Sequence, residues 1–262
     1  MANWEDAGIQ VVSYRLIDLL MKPGLEILEE LDDIRHYIPW RGEIILNASL
    51  PKANREGIYR IRSSYDGVWI RMSVTAFVAL ITQLKPDGVI LPTGSAAHYH
   101  ALWQKLPKSI KLFWHVDDSD QGISIPHGDS YFLNKESSPA TSLVERIETQ
   151  EKPSYLVGEF GYEQMGQLAL KTPCLIESDT PAQDGMTGVV YSHEGSFSIL
   201  SPEMVNAHQP LDSQCQCQTC RQSFTRAYLH HLLQHTPLLA QRFLVQHNVY
   251  FCQNRLMKIL GR

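Results

Sequence analysis

The chain has 262 residues, 44% of them hydrophobic and 19% charged, which is enough apolar material for a large core. No run of 18 apolar residues escapes interruption by a charge, which argues against a membrane span. The formal charge of -5 argues by itself against a nucleic-acid binder, but the charge is unevenly spread. From Ser213 onward there is no Asp or Glu, against six basic residues: Arg221, Arg226, Arg242, Arg255, Lys258 and Arg262. The first 212 residues therefore carry 17 basic and 28 acidic groups. A basic tail on an acidic body is a candidate surface for a phosphate backbone. The alternative is that these charges neutralise the body or a partner subunit. Five cysteines are sparse and odd in number, and no apolar leader precedes them, so a reducing cytoplasm is the expected setting.

In chain order, Gly24 to Ile38 reads as a helix, with Leu25, Leu28, Leu31 and Ile34 at i, i+3 spacing, ended by Pro39. Glu43 to Leu46 fits a buried strand, and Gly67 to Met72 a second. Ser73 is placed to cap a helix from Val74 to Leu84. Pro86-Asp87-Gly88 turns into a strand at Val89 to Leu91. Tyr99 to Leu106 is helix-like and Lys111 to Val116 strand-like. Thr141 to Thr149 reads as helix, Ser154 to Val157 as strand, Gly161 to Leu170 as helix and Cys174 to Ile176 as strand. Short buried strands alternating with helices imply a parallel sheet with right-handed crossovers, either a closed or partly closed β/α barrel or an open doubly wound sheet. Neither a G-x-G-x-x-G nor a P-loop motif is present, which disfavours a dinucleotide or P-loop fold.

The character changes after Gly188, dividing a body at 1–187 from a segment at 188–262 that is expected to pack on it as one unit. Val189 to Tyr191 and Phe197 to Leu200 flank a turn and read as a hairpin. Phe224 to Leu233 and Leu238 to Leu260 read as helices, broken at Thr236-Pro237. Between hairpin and helices lie Cys215, Cys217 and Cys220, and the spacing on to His247 is C-x-C-x2-C-x26-H. Three thiolates and a remote imidazole are the ligand set of a closed, tetrahedral structural zinc site. The alternative is three unliganded or redox-active thiols. His230, His231 and His235 compete with His247 for the fourth position. Cys252, five residues past His247, is expected to be a core thiol.

The run Pro210-Leu211-Asp212-Ser213, the thiol cluster, Thr225-Arg226-Ala227-Tyr228-Leu229-His230-His231-Leu232 and then His247-Asn248 closely resembles the C-terminal zinc region of tRNA-guanine transglycosylases. These enzymes insert queuine or its precursor preQ1 at the wobble guanine of certain tRNAs. The resemblance implies a (β/α)8 TIM-barrel-like body, truncated here, with a C-terminal structural zinc-binding subdomain. It also implies one zinc held by Cys215, Cys217, Cys220 and His247. Upstream the likeness is thinner. Pro153-Ser154-Tyr155-Leu156-Val157-Gly158 resembles one strand of the family, and Tyr37 to Ser49 the strand that leads to its aspartate-serine-glycine-glycine motif. Asp66-Gly67 and Asp87 also fall near matching positions. The chain begins partway into the pattern and lacks a glycine-rich stretch that helps to hold the base.

Base exchange by double displacement needs a carboxylate nucleophile and a second carboxylate to manage protons. The resemblance puts Glu177 at the nucleophile position, with Asp179 close by. It puts Ala48 where the general acid/base aspartate belongs, and Thr93, with Ser49, at the base-recognition positions. A methyl group cannot move a proton, and threonine cannot pair as a charged acceptor. The expectation is therefore a transglycosylase-like protein of queuosine-type tRNA modification whose exchange activity is impaired or lost. It would act as a tRNA-binding or partner subunit, either a homodimer or a heterodimer with a full-length transglycosylase, and Arg221, Arg226, Arg242, Arg255 and Lys258 would be its RNA contacts. One alternative is an active transferase using Glu177 or Asp179 on an altered substrate. Another is a zinc-stabilised homodimer without RNA, with Leu232, Leu233, Leu238, Leu239, Phe243 and Leu244 as interface or core. The pocket is expected to be shallow or partly filled, with Asp179, Asp117 or Asp118 as the groups able to supply a second carboxylate.

Overall fold

A computed structural model describes residues 2–95, 98–115, 129–132, 154–171 and 174–261. The expected helix at Thr141 to Thr149, together with Val116, Asp117 and Asp118, lies outside these residues.

Among the described residues, seven parallel strands build the body: β1 (Val11–Arg15), β2 (Glu43–Asn47), β5 (Gly88–Ile90), β6 (Lys111–His115), β7 (Asp129–Phe132), β8 (Ser154–Val157) and β9 (Cys174–Glu177). They are hydrogen-bonded in that order, so β1 and β9 are the two ends of the ladder. Alternation splits the strand side chains into two layers. Ile44, Leu46, Val89, Leu91, Leu112 and Trp114 face the helices. Ile45, Ile90, Phe113 and Tyr155 form a second cluster, joined by Val11 of β1 and Leu175 of β9. Side chains from both ends of the ladder thus meet in one inner layer, so the sheet curls toward a (β/α)8-like barrel that its seven strands leave partial. Gly88 makes that layer possible, because a Cβ there would lie 2.7 Å from Ile45 Cδ1.

Between β2 and the first long helix, β3 (Ile58–Arg62) and β4 (Trp69–Ser73) form an antiparallel hairpin outside the main sheet. The helices of the body are α1 (Ala2–Asp6), α2 (Leu16–Leu19), α3 (Leu25–Glu30), α4 (Val74–Leu84), α5 (His100–Trp103), α6 (Tyr162–Lys171) and α7 (Thr180–Thr187). Ser73 caps α4 as expected, its Oγ accepting from Ala76 N at 3.0 Å. The single helix expected from Gly24 to Ile38 is not formed. Its α-helical part ends at Glu30, Leu31 is extended, and a 3-10 turn covers Ile34–His36. Four acids in the last turn and just beyond (Glu29, Glu30, Asp32, Asp33) oppose the helix dipole, and Asp33 instead caps the new turn by accepting from Arg35 N at 2.8 Å. The register still works, because Leu28 and Ile34 are both fully buried.

The C-terminal part contains the expected hairpin, β10 (Val189–Val190) with β11 (Phe197–Ser198). It continues through α8 (Gln218–Arg221), α9 (Arg226–His235) and α10 (Pro237–Ile259). Thr225 caps α9, and Pro237 occupies the first turn of α10, where its missing N–H is not needed. Helix α10 crosses α7 so closely that a Cβ at Gly185 would lie 2.8 Å from the Val245 backbone. Leu229, Leu232, Leu233, Ala240 and Leu244 bury against Val190, Ile199 and Leu211. Leu238 and Leu239 stay outside, at 84% and 44% exposure. Among the described residues no helix is long and apolar enough to cross a membrane.

Candidate functional site

The thiol cluster is assembled by local hydrogen bonds. Asp212 folds the chain ahead of it, its Oδ1 accepting from Gln214 N and its carbonyl from Cys215 N. Cys217 then acts as the cap of α8, its Sγ accepting from Cys220 N at 3.3 Å, so that one short turn returns Cys220 to Cys217. Thr219 ties α8 to α10 by donating to the Phe243 carbonyl at 2.9 Å. That contact brings His247, from the middle of α10, over the thiols. Its Nδ1 lies 3.6, 3.4 and 3.3 Å from Sγ of Cys215, Cys217 and Cys220, and all four donor atoms lie within 4.8 Å of one another. A tetrahedral ion with bonds of about 2.3 Å to sulfur and about 2.0 Å to nitrogen sets its S···N edges at about 3.6 Å, so the four residues fit a coordinated metal.

His247 Nε2 donates to the Tyr191 carbonyl at 2.8 Å, which fixes the tautomer and leaves the Nδ1 lone pair facing the sulfurs. The next residue, Asn248, is fully buried and holds the same strand: its Oδ1 accepts from Tyr191 N, and its Nδ2 donates to the carbonyls of Val189 and Pro181. Burial alone would lower the His247 imidazole, but the Cys215 and Cys217 sulfurs outweigh it and raise the group to about 10. Hydrogen bonds from the neighbouring thiols, Cys215 first, hold Cys217 well down and push Cys220 well up. The cluster shares its protons unequally, and a cation at its centre would displace them.

The competing histidines are otherwise engaged. His230 Nδ1 pairs with the Ile199 carbonyl at 2.8 Å and its Nε2 with Gln234 at 3.0 Å. His231 and His235 stack on each other, with centroids 4.2 Å apart, on the exposed face of α9. Cys252 is the expected core thiol, pushed up to about 12 by burial.

The second constellation sits at the C-terminal end of β9. Glu177 Oε2 accepts from Tyr155 Oη at 2.9 Å, and its Oε1 accepts from Asn47 Nδ2 at 3.2 Å, reaching across from β2. Ser49 donates to Asn47 Oδ1, so its hydroxyl is the outer end of a chain Ser49–Asn47–Glu177–Tyr155. Burial first, and then the Glu177 carboxylate, push the Tyr155 hydroxyl well above its ordinary range and keep it a donor. Ala48 is fully buried and joins the core on the helix side of the sheet. Thr93 lies in the turn after β5.

Glu177 and Asp179 both line a cleft of about 560 Å³ between β1 and β9, walled by Trp4, Val11, Leu19 and Leu175, with Arg15, Asp18 and Lys22 among its polar lining. Asp179, one of the groups expected to be able to supply a second carboxylate, thus shares the cleft with Glu177, whereas Ala48 and Thr93 are not part of its lining. Asn47 and Tyr155 escaped the sequence reading. Asn47 precedes Ala48 and Tyr155 lies within β8, but neither carries a signal until β2, β8 and β9 are placed together.

In the basic tail, Arg226 donates to the Pro210 and Leu211 carbonyls and lies over the Phe197 ring at 4.3 Å, and Arg255 lies over Tyr162 at 5.2 Å. Arg226 thus braces the C-terminal part internally, and Arg255 ties it to α6 of the body.

Comparison with known proteins adds the following. The family described as queuine tRNA-ribosyltransferase matches residues 135–260, a span that contains Glu177 and the whole metal cluster. Queuine tRNA-ribosyltransferases are similar over most of the chain. That of Hydrogenovibrio crunogenus is 22% identical, covering 95% of this chain and 78% of the relative. That of Methylacidiphilum infernorum is 24% identical over 97% and 81%, and that of Blochmanniella pennsylvanica is 23% identical over 98% and 81%. The likeness is distant but consistent across most of the chain.

Proposed function

We propose, from the distant relationship to queuine tRNA-ribosyltransferases, that this protein is a tRNA-binding or partner subunit of queuosine-type tRNA modification whose own base exchange is impaired or lost. One observation carries the reading: Glu177, which the resemblance puts at the nucleophile position, has its two oxygens held by the neutral donors of Asn47 and Tyr155, and Ala48, which it puts at the proton-handling position, is buried on the helix side of the sheet. A carboxylate fixed in this way is a good structural acceptor. Leaving-group chemistry at a ribose carbon also needs a group that can move a proton.

We assign the metal as one structural zinc, held by Cys215, Cys217, Cys220 and His247. Three sulfurs and one nitrogen, with Cys215, Cys217 and His247 buried and Cys220 partly so, favour a closed four-ligand site. Unpaired cysteines throughout fit a reducing cytoplasm. The body at 1–187 and the segment at 188–262 act as one unit, supported by the close crossing of α10 over α7. Leu238 and Leu239, exposed at the start of α10, are the apolar side chains offered to a second subunit, either a copy of this chain or a full-length transglycosylase.

Filter binding with total cellular tRNA tests the reading. The expected result is binding that weakens steeply with salt, either alone or with the full-length transglycosylase present. Absence of salt-dependent binding in both settings would sink it. The cleft favours a second reading, an active transferase that uses Glu177 or Asp179 on an altered substrate, because both residues line it.

A further inference from the structure

The β3–β4 hairpin has two faces of opposite chemistry. Tyr59, Ile61 and Met72 point inward and are at most 3% exposed, with the Tyr59 ring 6.0 Å from Phe77 of α4. Alternation therefore turns Arg60, Arg62, Trp69 and Arg71 outward, and all four are exposed. The register sets Arg60 directly opposite Arg71 and Arg62 opposite Trp69. Like charges facing each other across an antiparallel pair are destabilising. Among the described residues no carboxylate pairs with any of the three. From Lys52 to Ser73 there are five basic residues and two acidic ones, in a chain whose formal charge is -5.

The aromatic content is equally out of place for a plain solvated face. Trp69 is 55% exposed, and Tyr65, in the hairpin turn, is 60% exposed. Lys22 Nζ sits 3.7 Å from the Tyr65 ring centroid, and the same Lys22 lines the β1–β9 cleft. The patch is thus continuous with the mouth of the cleft that holds Glu177.

We propose that the outer face of this hairpin binds single-stranded RNA and leads it toward the cleft. Guanidiniums held on a rigid sheet match successive phosphates, and exposed rings beside them stack on bases. Stacking selects unpaired bases, because a duplex hides their faces. The same rings would add little to recognition of an acidic protein. The inference rests on the RNA-associated reading above, and places the contact on a different surface from the basic C-terminal tail.

The test is fluorescence anisotropy with a labelled 12-nucleotide oligouridylate, a 12-base-pair RNA duplex and polyglutamate, each titrated at several salt concentrations. Three variants are compared with the wild type: R60Q/R62Q/R71Q, R60K/R62K/R71K and W69T. All the changed side chains are exposed, so unfolding midpoints should not fall below the wild-type value, and relief of the Arg60–Arg71 repulsion should if anything raise that of the glutamine triple. Wild type should prefer the oligouridylate. The glutamine triple should lower the slope of log affinity against log salt by about 2, at roughly 0.7 per lost phosphate contact, while the lysine triple keeps the slope. W69T should weaken binding on the order of tenfold and leave the slope unchanged. No oligouridylate binding by wild type, equal binding by the glutamine triple, or a preference for duplex or polyglutamate would each overturn the proposal. In the last two cases the charged face serves another partner or only guards the hairpin edges. Total-tRNA binding that survives in the glutamine triple sinks this surface and leaves the functional reading standing. Oligouridylate binding through the hairpin, in a protein that ignores tRNA, does the reverse.

Discussion

The metal cluster and the Glu177 cleft are built from the same kind of material, a few polar side chains carried by different elements, but only the cluster is chemically complete. Around His247 every donor is aimed. The three sulfurs converge on Nδ1, Nε2 is spent on the Tyr191 carbonyl, and Asn248 fixes the strand that carries it. Around Glu177 the carboxylate is present and oriented, but its hydrogen-bond partners are an amide and a phenol, Ala48 is buried on the other side of the sheet, and Asp179 is a second carboxylate lining the same cleft. A closed ligand set stabilises a fold without any reaction, whereas a reaction centre needs a second group that changes protonation. The contrast is what the proposal of impaired or lost base exchange rests on.

The largest effect should come from the cluster itself. Metal analysis should give close to one zinc per chain in wild type and far less in C217A or H247A. Structural zinc in small modules contributes about 10–16 kcal/mol of apparent binding energy, so loss of a ligand should loosen α9 and α10 by several kcal/mol in thermal unfolding. H247A with full metal occupancy would move the fourth ligand elsewhere and dissolve the contrast. Acid should act in the same direction. Thiolates and a neutral imidazole are the binding forms, so lowering the pH returns protons to the ligands, and metal retention measured after dialysis should fall.

Next in size is Asn248→Ala. It leaves buried Tyr191 N and the Val189 carbonyl without the Asn248 side chain, at about 1–3 kcal/mol per unsatisfied group, while the Pro181 carbonyl loses only a second donor beyond its helix bond. Denaturant unfolding should show a loss of at least about 2 kcal/mol with the metal still bound. A loss below half of that would mean that Asn248 does not support the site.

Tyr155→Phe should cost less, about 1–2 kcal/mol, because Glu177 keeps Asn47 and is only partly buried. The substitution sharpens the reading of the cleft: a structural acceptor predicts a change in stability alone. The smallest effect on folding is expected for Leu238→Glu, within about 0.5 kcal/mol because the side chain is 84% exposed. Light scattering at several concentrations should nevertheless show dissociation if this surface meets a second subunit, and no change in mass would remove it from the interface.

The two regions also differ in how well the sequence announced them. The metal ligands were legible because three of them fall within six residues and the fourth lies on a helix with a clear start at Thr236-Pro237. Most strands and the capped helix α4 were legible for the same reason, since their signals are local. The Glu177 network was not. Asn47 and Tyr155 meet Glu177 only after three strands are laid side by side in register, and no spacing encodes that. Strand β1 was overlooked because Val11-Val12-Ser13-Tyr14-Arg15 has only partial burial, as befits the end of a ladder. The break after Glu30 is hidden by an apolar periodicity that continues through it to Ile34.

The central claim, that this fold keeps its metal module and has lost base exchange, is tested most directly by incubating the purified zinc-bound protein with tRNA and labelled guanine, preQ1 or queuine, and counting label retained in the RNA. The account predicts no incorporation above the background of E177Q. Incorporation of any of the three that disappears in E177Q would contradict it and make Glu177 a working nucleophile.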